Sequence, residues 1–109
     1  MVKVTVYQNK DLGFLGFKST GHAGYAVAGE DVVCAGVSVL VINTVNALDA
    51  LTENVFDVDQ DAGEGLIELK APDGLDESGE LLINSMILGL KELQKSYGDK
   101  YVAISFQEV

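Results

Sequence analysis

The chain has one cysteine, one histidine, one proline, no tryptophan and no arginine. A single cysteine has no partner for an internal disulfide. It also rules out a zinc site built on several thiolates, and one histidine does not make up the deficit. Neither a metal nor another cofactor is implied. With no arginine, seven lysines face seventeen acids, for a net charge of −10. A nucleic-acid binder needs a basic footprint, and the composition offers none, so direct nucleic-acid binding is not expected. The N-terminal MVKVTVYQNK lacks the continuous apolar stretch of a signal peptide. The longest apolar run further on is broken by Asn43, Thr44, Asn46 and Asp49, so no membrane span is expected. A reducing, cytoplasmic setting follows as the expectation.

What is present suits one folded domain over residues 1–109. Hydrophobic residues make up 48% and charged residues 22%, which is the balance of a globular chain. The acidic surface fits encounter with a basic partner, and it equally fits plain solubility. No repeat, linker or low-complexity tract interrupts the chain.

Residues 2–8 alternate Val2, Val4 and Val6 with Lys3, Thr5 and Tyr7, the period of a strand. Asn9-Lys10-Asp11 is a turn signal, and residues 12–20 read as a second strand, weakened by Gly13 and Gly16. Residues 21–30, GHAGYAVAGE, have no regular period and read as a loop. Asp31 suits an N-cap, and a helix is expected from about Val32 to about Thr52. That helix is apolar over most of its circumference (Val33, Val37, Leu40, Val41, Val45, Leu48, Leu51), so it needs cover on more than one side. Residues 54–60 and 66–70 read as a hairpin with Phe56, Val58, Ile67 and Leu69 inward. A second helix over roughly Asp76 to Tyr97 carries the stripe Leu82, Ile83, Met86, Ile87, Leu90 and Leu93. Residues 101–107, with Val102, Ile104 and Phe106 alternating, form the last strand. The order ββαββαβ predicts an α+β, two-layer fold, with two helices on a mostly antiparallel sheet of about five strands.

Residues 21–38, GHAGYAVAGEDVVCAGVS, hold the only histidine and the only cysteine. With Asp31 as cap, Cys34 is the third helical residue. It then lies beside the unpaired N–H groups and positive dipole end of the helix, which favour thiolate over thiol. A neighbouring imidazolium acts in the same sense; the charge of Asp31 opposes it. A thiolate attacks carbonyl carbon, and a histidine returns the proton to a leaving amine. The first-turn N–H groups are candidate oxyanion donors. Glycines at 21, 24 and 29 ease the fold-back that would carry His22 to Cys34. Position and spacing alone also fit a buried, inert cysteine and a surface histidine. Ser38 is one turn beyond Cys34 on the same face, placed either to orient a substrate or to bond back to a carbonyl. Asp57, Asp59, Asp61 and Glu68 have the spacing of a calcium loop, but the sixth position is Ala62 and the flanks alternate like strands, so a solvated hairpin tip is the better reading.

GHAGYA followed by GEDVVCAGVS resembles the ribosomal processing cysteine protease family of bacteria. That family's pattern is a Gly-His-Ala loop, a short variable stretch, and Asp-x-Val-Cys-Ala-x-x-Ser opening a helix. Gly21, His22 and Ala23 match the first part; Asp31, Val33, Cys34, Ala35 and Ser38 match the second. The resemblance implies a cysteine endopeptidase with Cys34 as nucleophile and His22 as general acid and base. It implies Asp31 and Ser38 as supporting or substrate-orienting residues, with Gly21 and Ala35 as oxyanion or loop positions. It further implies a homodimer that trims a short N-terminal extension, apolar and aromatic-containing, from a basic ribosomal protein precursor. The alternative is a non-enzymatic acidic module that binds a basic partner in ribosome assembly.

Overall fold

The computed structural model describes residues 1–21 and 31–109. The order is β1 (Val2–Asn9), β2 (Gly13–Thr20), α1 (Val32–Leu51), β3 (Asp57–Asp61), β4 (Leu66–Lys70), α2 (Glu77–Tyr97) and β5 (Val102–Glu108). This is the expected ββαββαβ order. The five strands form one sheet in the order β3-β4-β2-β1-β5. Three pairings are antiparallel, while β1 and β5 run parallel from Val2 opposite Val102 to Gln8 opposite Glu108. The sheet is therefore mixed.

The chain path explains both the mixed sheet and the two layers. Units β2-α1-β3 and β4-α2-β5 each join strands of like direction. Their strand directions are opposite, and they cross the sheet in opposite senses. Right-handed crossings then put both helices on the same face. That face carries Val2, Val4, Val6, Phe17, Leu69 and Val102, all buried, against Val33, Val37, Val41 and Leu48 of α1 and Ile83, Met86, Ile87 and Leu90 of α2. The opposite face is polar, as the alternation in β1 requires. Phe56, Val58, Ile67, Leu82 and Leu93 pack partly buried around the core. Phe106 is exposed, with the Lys91 ammonium 5.9 Å from its ring centre.

The helices meet through small residues. A Cβ on Gly36 would lie 3.0 Å from Leu93 Cδ1, and one on Gly89 would lie 2.7 Å from Leu40 Cδ2. Each glycine thus makes room for a leucine of the facing helix.

Helix α1 departs from expectation in two ways. Its end residue Leu51 is 76% exposed rather than part of the core. By length and apolar composition it is also long enough to cross a bilayer despite its asparagines. Within the fold it is a core helix, because Val33, Val37, Val41, Thr44 and Leu48 lie buried along one side. Thr44 is tolerated there because its hydroxyl donates to the Leu40 carbonyl at 2.7 Å.

Candidate active site

Cys34 sits at the third position of α1, half-buried. Asp31 caps this helix: its Oδ1 accepts from the N–H of Val33 at 3.0 Å and of Cys34 at 2.9 Å. Its backbone is extended, as an N-cap requires. The Asp31 carbonyl accepts from the Ala35 N–H at 3.0 Å, the first bond of the helix. No acidic side chain lies in the first turn of α1. The first turn thus adds no carboxylate of its own to oppose the positive end of the helix.

Cys34 opens into a cleft of about 320 Å³ between α1 and the sheet, which Gly21 and Ser38 also line. Three residues predicted from sequence are thereby brought together. Gly21 has φ +88°, and a Cβ there would sit 2.5 Å from the Met1 carbonyl oxygen, so only glycine fits. The Gly21 N–H donates to the Glu64 carbonyl at 3.2 Å, which ties the end of β2 to the β3–β4 turn. Ser38 follows Cys34 by one turn on the cleft side.

Ala35 is placed elsewhere. A step of one residue turns about 100° around a helix, and Ala35 lies exposed in a second groove of about 500 Å³ between α1 and α2. The N–H groups of Gly21 and Ala35 are both engaged with carbonyls, so neither donates to a substrate oxygen without giving up that bond. His22, with the rest of the 22–30 loop, lies outside the described residues. Asp57, Asp59 and Asp61 form β3 with Glu68 opposite Asp59, a hairpin rather than an ion-binding loop.

Sequence reasoning missed the cleft's walls and floor. Val37, Val41 and Ile42 of α1 and Leu66 and Ile67 of β4 line it, and Ser19, Gln60 and Asp61 add polar groups. One signal was available. Ser19 falls on the inward face of β2, two residues from buried Phe17, where an apolar residue belongs.

The family model for the cysteine protease Prp matches residues 1–102. The ribosomal processing cysteine protease Prp of Bacillus subtilis (strain 168) is 37% identical over 105 residues, covering 91% of this chain and 92% of that protein. The corresponding Staphylococcus aureus (strain Mu50) protein is 29% identical over 79 residues, 72% of this chain and 74% of its own. The crystal structure of S. aureus Prp with a covalently linked product peptide superposes with a TM-score of 0.91 at 24% identity, covering 98% of this chain and 100% of that one. A Streptococcus mutans protein superposes at 0.82 with 28% identity, over 100% of this chain and 96% of its own. With a family match that runs from the first strand into the last and a relative sharing more than a third of its residues, the chain belongs to the Prp family and is a cysteine protease.

Proposed function

We propose that the protein removes a short N-terminal extension from a ribosomal protein precursor, using Cys34 as nucleophile and His22 as general acid and base. The observation that carries this is the position of Cys34: first turn of a capped helix, no acid in that turn, on the lining of a cleft. Gly21, one peptide bond from His22, lines that same cleft. The substrate class comes from the B. subtilis relative, which is named a ribosomal processing protease. A net charge of −10 suits a basic substrate.

In this reading the Cys34 thiolate adds to the scissile carbonyl carbon and pushes its electron pair onto oxygen. Collapse of the tetrahedral species expels the amine, which takes a proton from the His22 imidazolium. The acyl-thioester is then attacked by water as His22 removes the water's proton, releasing the carboxylate and restoring the thiolate and imidazolium. Asp31 holds the first turn in place, and Ser38 lies where it can orient the chain being cut. A reducing, cytoplasmic location keeps the sulfur reactive.

A homodimer is part of the proposal. Val39 is 67% and Leu88 65% exposed on the outer sides of α1 and α2, around the groove that contains Ala35. An apolar face of this kind suits a second copy. Sedimentation should give twice the chain mass, and Val39→Glu should give the monomer.

Incubation of the precursor with the enzyme, read by mass spectrometry, tests the activity. Wild type should release the extension, and Cys34→Ala and His22→Ala should not. Intact precursor with wild type, or equal cleavage by Cys34→Ala, overturns the reading.

A further inference from the structure

The residue before His22 is held from two sides. Gly21 follows β2, and its N–H donates to the Glu64 carbonyl of the β3–β4 turn at 3.2 Å. The last listed pair of the β2–β4 ladder is Ser19 with Ile67, so this bond carries the contact beyond the ends of both strands. On the other side stands the Met1 carbonyl, whose oxygen a Cβ on Gly21 would meet at 2.5 Å.

The turn that offers the Glu64 carbonyl is itself tied down by one side chain. Asp61, the last residue of β3, accepts at Oδ1 from the Gly63 N–H at 3.0 Å and the Glu64 N–H at 3.4 Å. The Gly65 N–H closes the turn onto the Ala62 carbonyl at 3.3 Å. Both backbone polar groups of Glu64 are thus used, the N–H toward Asp61 and the carbonyl toward Gly21. Asp61, Ala62 and Gly65 line the cleft with Gly21 and Cys34, so this brace stands at the site itself. Asp61, Gly63 and Glu64 are all exposed. Water can take over the two N–H groups when the carboxylate is removed, so the fold does not depend on it.

We propose that Asp61 is a positioning residue for the reaction: by holding the β3–β4 turn it fixes the Glu64 carbonyl, the carbonyl fixes Gly21, and Gly21 sets where the chain enters His22 relative to Cys34. The inference rests on the protease reading for the role of His22. Asp61 touches no reacting atom in this scheme; it acts through Gly21. An acid–base partner works only when it is held within reach of the group it serves, and a small displacement costs rate steeply. The charge of Asp61 acts in the opposite direction. A carboxylate on the lining of the cleft disfavours a thiolate nearby. The brace and the charge therefore predict changes of opposite sign when Asp61 is removed, which separates them by experiment.

Asp61→Ala removes brace and charge together, whereas Asp61→Asn removes the charge and keeps an oxygen for the two N–H groups. Alkylation of Cys34 by iodoacetamide at pH 6 gives a readout that needs no turnover. Asp61→Ala should slow it about threefold to tenfold, because a displaced imidazolium supports the thiolate less. It should also lower kcat for the precursor about tenfold, with KM moving less. Asp61→Asn should alkylate and cleave at the wild-type rate or slightly faster. Asp59→Ala, which takes the same charge from the same strand, should slow neither reaction. The unfolding midpoint in urea should stay at the wild-type value throughout. A double-mutant cycle decides the route: Asp61→Ala combined with His22→Ala should alkylate no more slowly than His22→Ala alone. Alkylation that is unchanged or faster in Asp61→Ala overturns the assignment. So does a further loss in the double variant, or a loss that Asp61→Asn does not rescue. If wild type leaves the precursor intact while alkylation still depends on Asp61 through His22, the protease reading fails and the positioning role stands.

Discussion

The two helices of this protein begin alike and are used differently. Each is capped by an aspartate in extended backbone, Asp31 for α1 and Asp76 for α2. At α2 the cap is one member of a network. Asp76 Oδ1 accepts from the Gly79 N–H at 2.8 Å, the Ser78 hydroxyl at 2.7 Å and the Asn54 amide at 2.9 Å. Glu77 and Glu80 add negative charge to the same turn, and Glu80 also accepts from the Phe14 N–H at 3.0 Å. The positive end of α2 is thus matched by structural carboxylates. At α1 the first turn holds no acid, and Cys34 occupies the place. In the proposed mechanism the same kind of cap serves stability at α2 and chemistry at α1. The difference lies in the neighbouring residues, not in the cap.

Substitutions at four positions probe that contrast. The largest effect is expected from Asp31→Ala, which should lower precursor cleavage at least tenfold and stability by about 1 kcal/mol. Asp31→Asn keeps an acceptor for the Val33 and Cys34 N–H groups. It should restore stability, measured by urea unfolding, and most of the activity. Activity that stays lost in Asp31→Asn despite full stability would mean that the charge itself acts in catalysis.

Asp76→Ala should lower the melting temperature by several degrees and leave kcat/KM unchanged. The backbone bond from Gly79, followed by those from Asn54 and Ser78, lowers the Asp76 carboxyl from 3.8 to about 2. A depressed carboxyl favours the folded state while it is ionised. Its contribution is therefore complete above about pH 4 and is lost as the pH falls through about 2. Asp76→Asn should flatten the acid limb of the stability profile in that window; an unchanged limb would detach the cap from acid unfolding.

The smallest effect comes from making α1 resemble α2. Val32 is 52% exposed at the first helical position, where α2 has Glu77. Val32→Glu should slow alkylation of Cys34 at pH 6 by about twofold to fivefold, the size of a helix-end charge interaction. An unchanged rate would show that the helix end contributes nothing to the reactivity of the sulfur. Gly21→Ala sharpens the comparison from the other strand end. Its Cβ would meet the Met1 carbonyl at 2.5 Å, so it should weaken activity and stability together.

Much of this was readable along the chain. Alternation located β1 and β5, and an apolar stripe at helical spacing located α2. Asp31 marks the start of α1 to the residue, because capping joins groups two or three positions apart, whereas α2 begins one residue after Asp76, which caps it. The same locality placed Cys34 in the first turn and Ser38 one turn beyond it. The burial of Leu51 was misjudged, since helical periodicity assigns a face but does not say where the neighbouring layer ends. Ala35, which the family resemblance groups with the site, is rotated into the α1–α2 groove.

By itself, then, the sequence determined the elements, their order, the cap of α1 and the position of the sulfur on its helix, all governed by contacts within a few residues. The tertiary structure alone decided that β5 pairs parallel with β1, and that Gly21 and Ser19 reach the same cleft as Cys34. Those juxtapositions join residues far apart in the chain, and they follow from how the crossovers bury the apolar face of the sheet rather than from any short-range pattern.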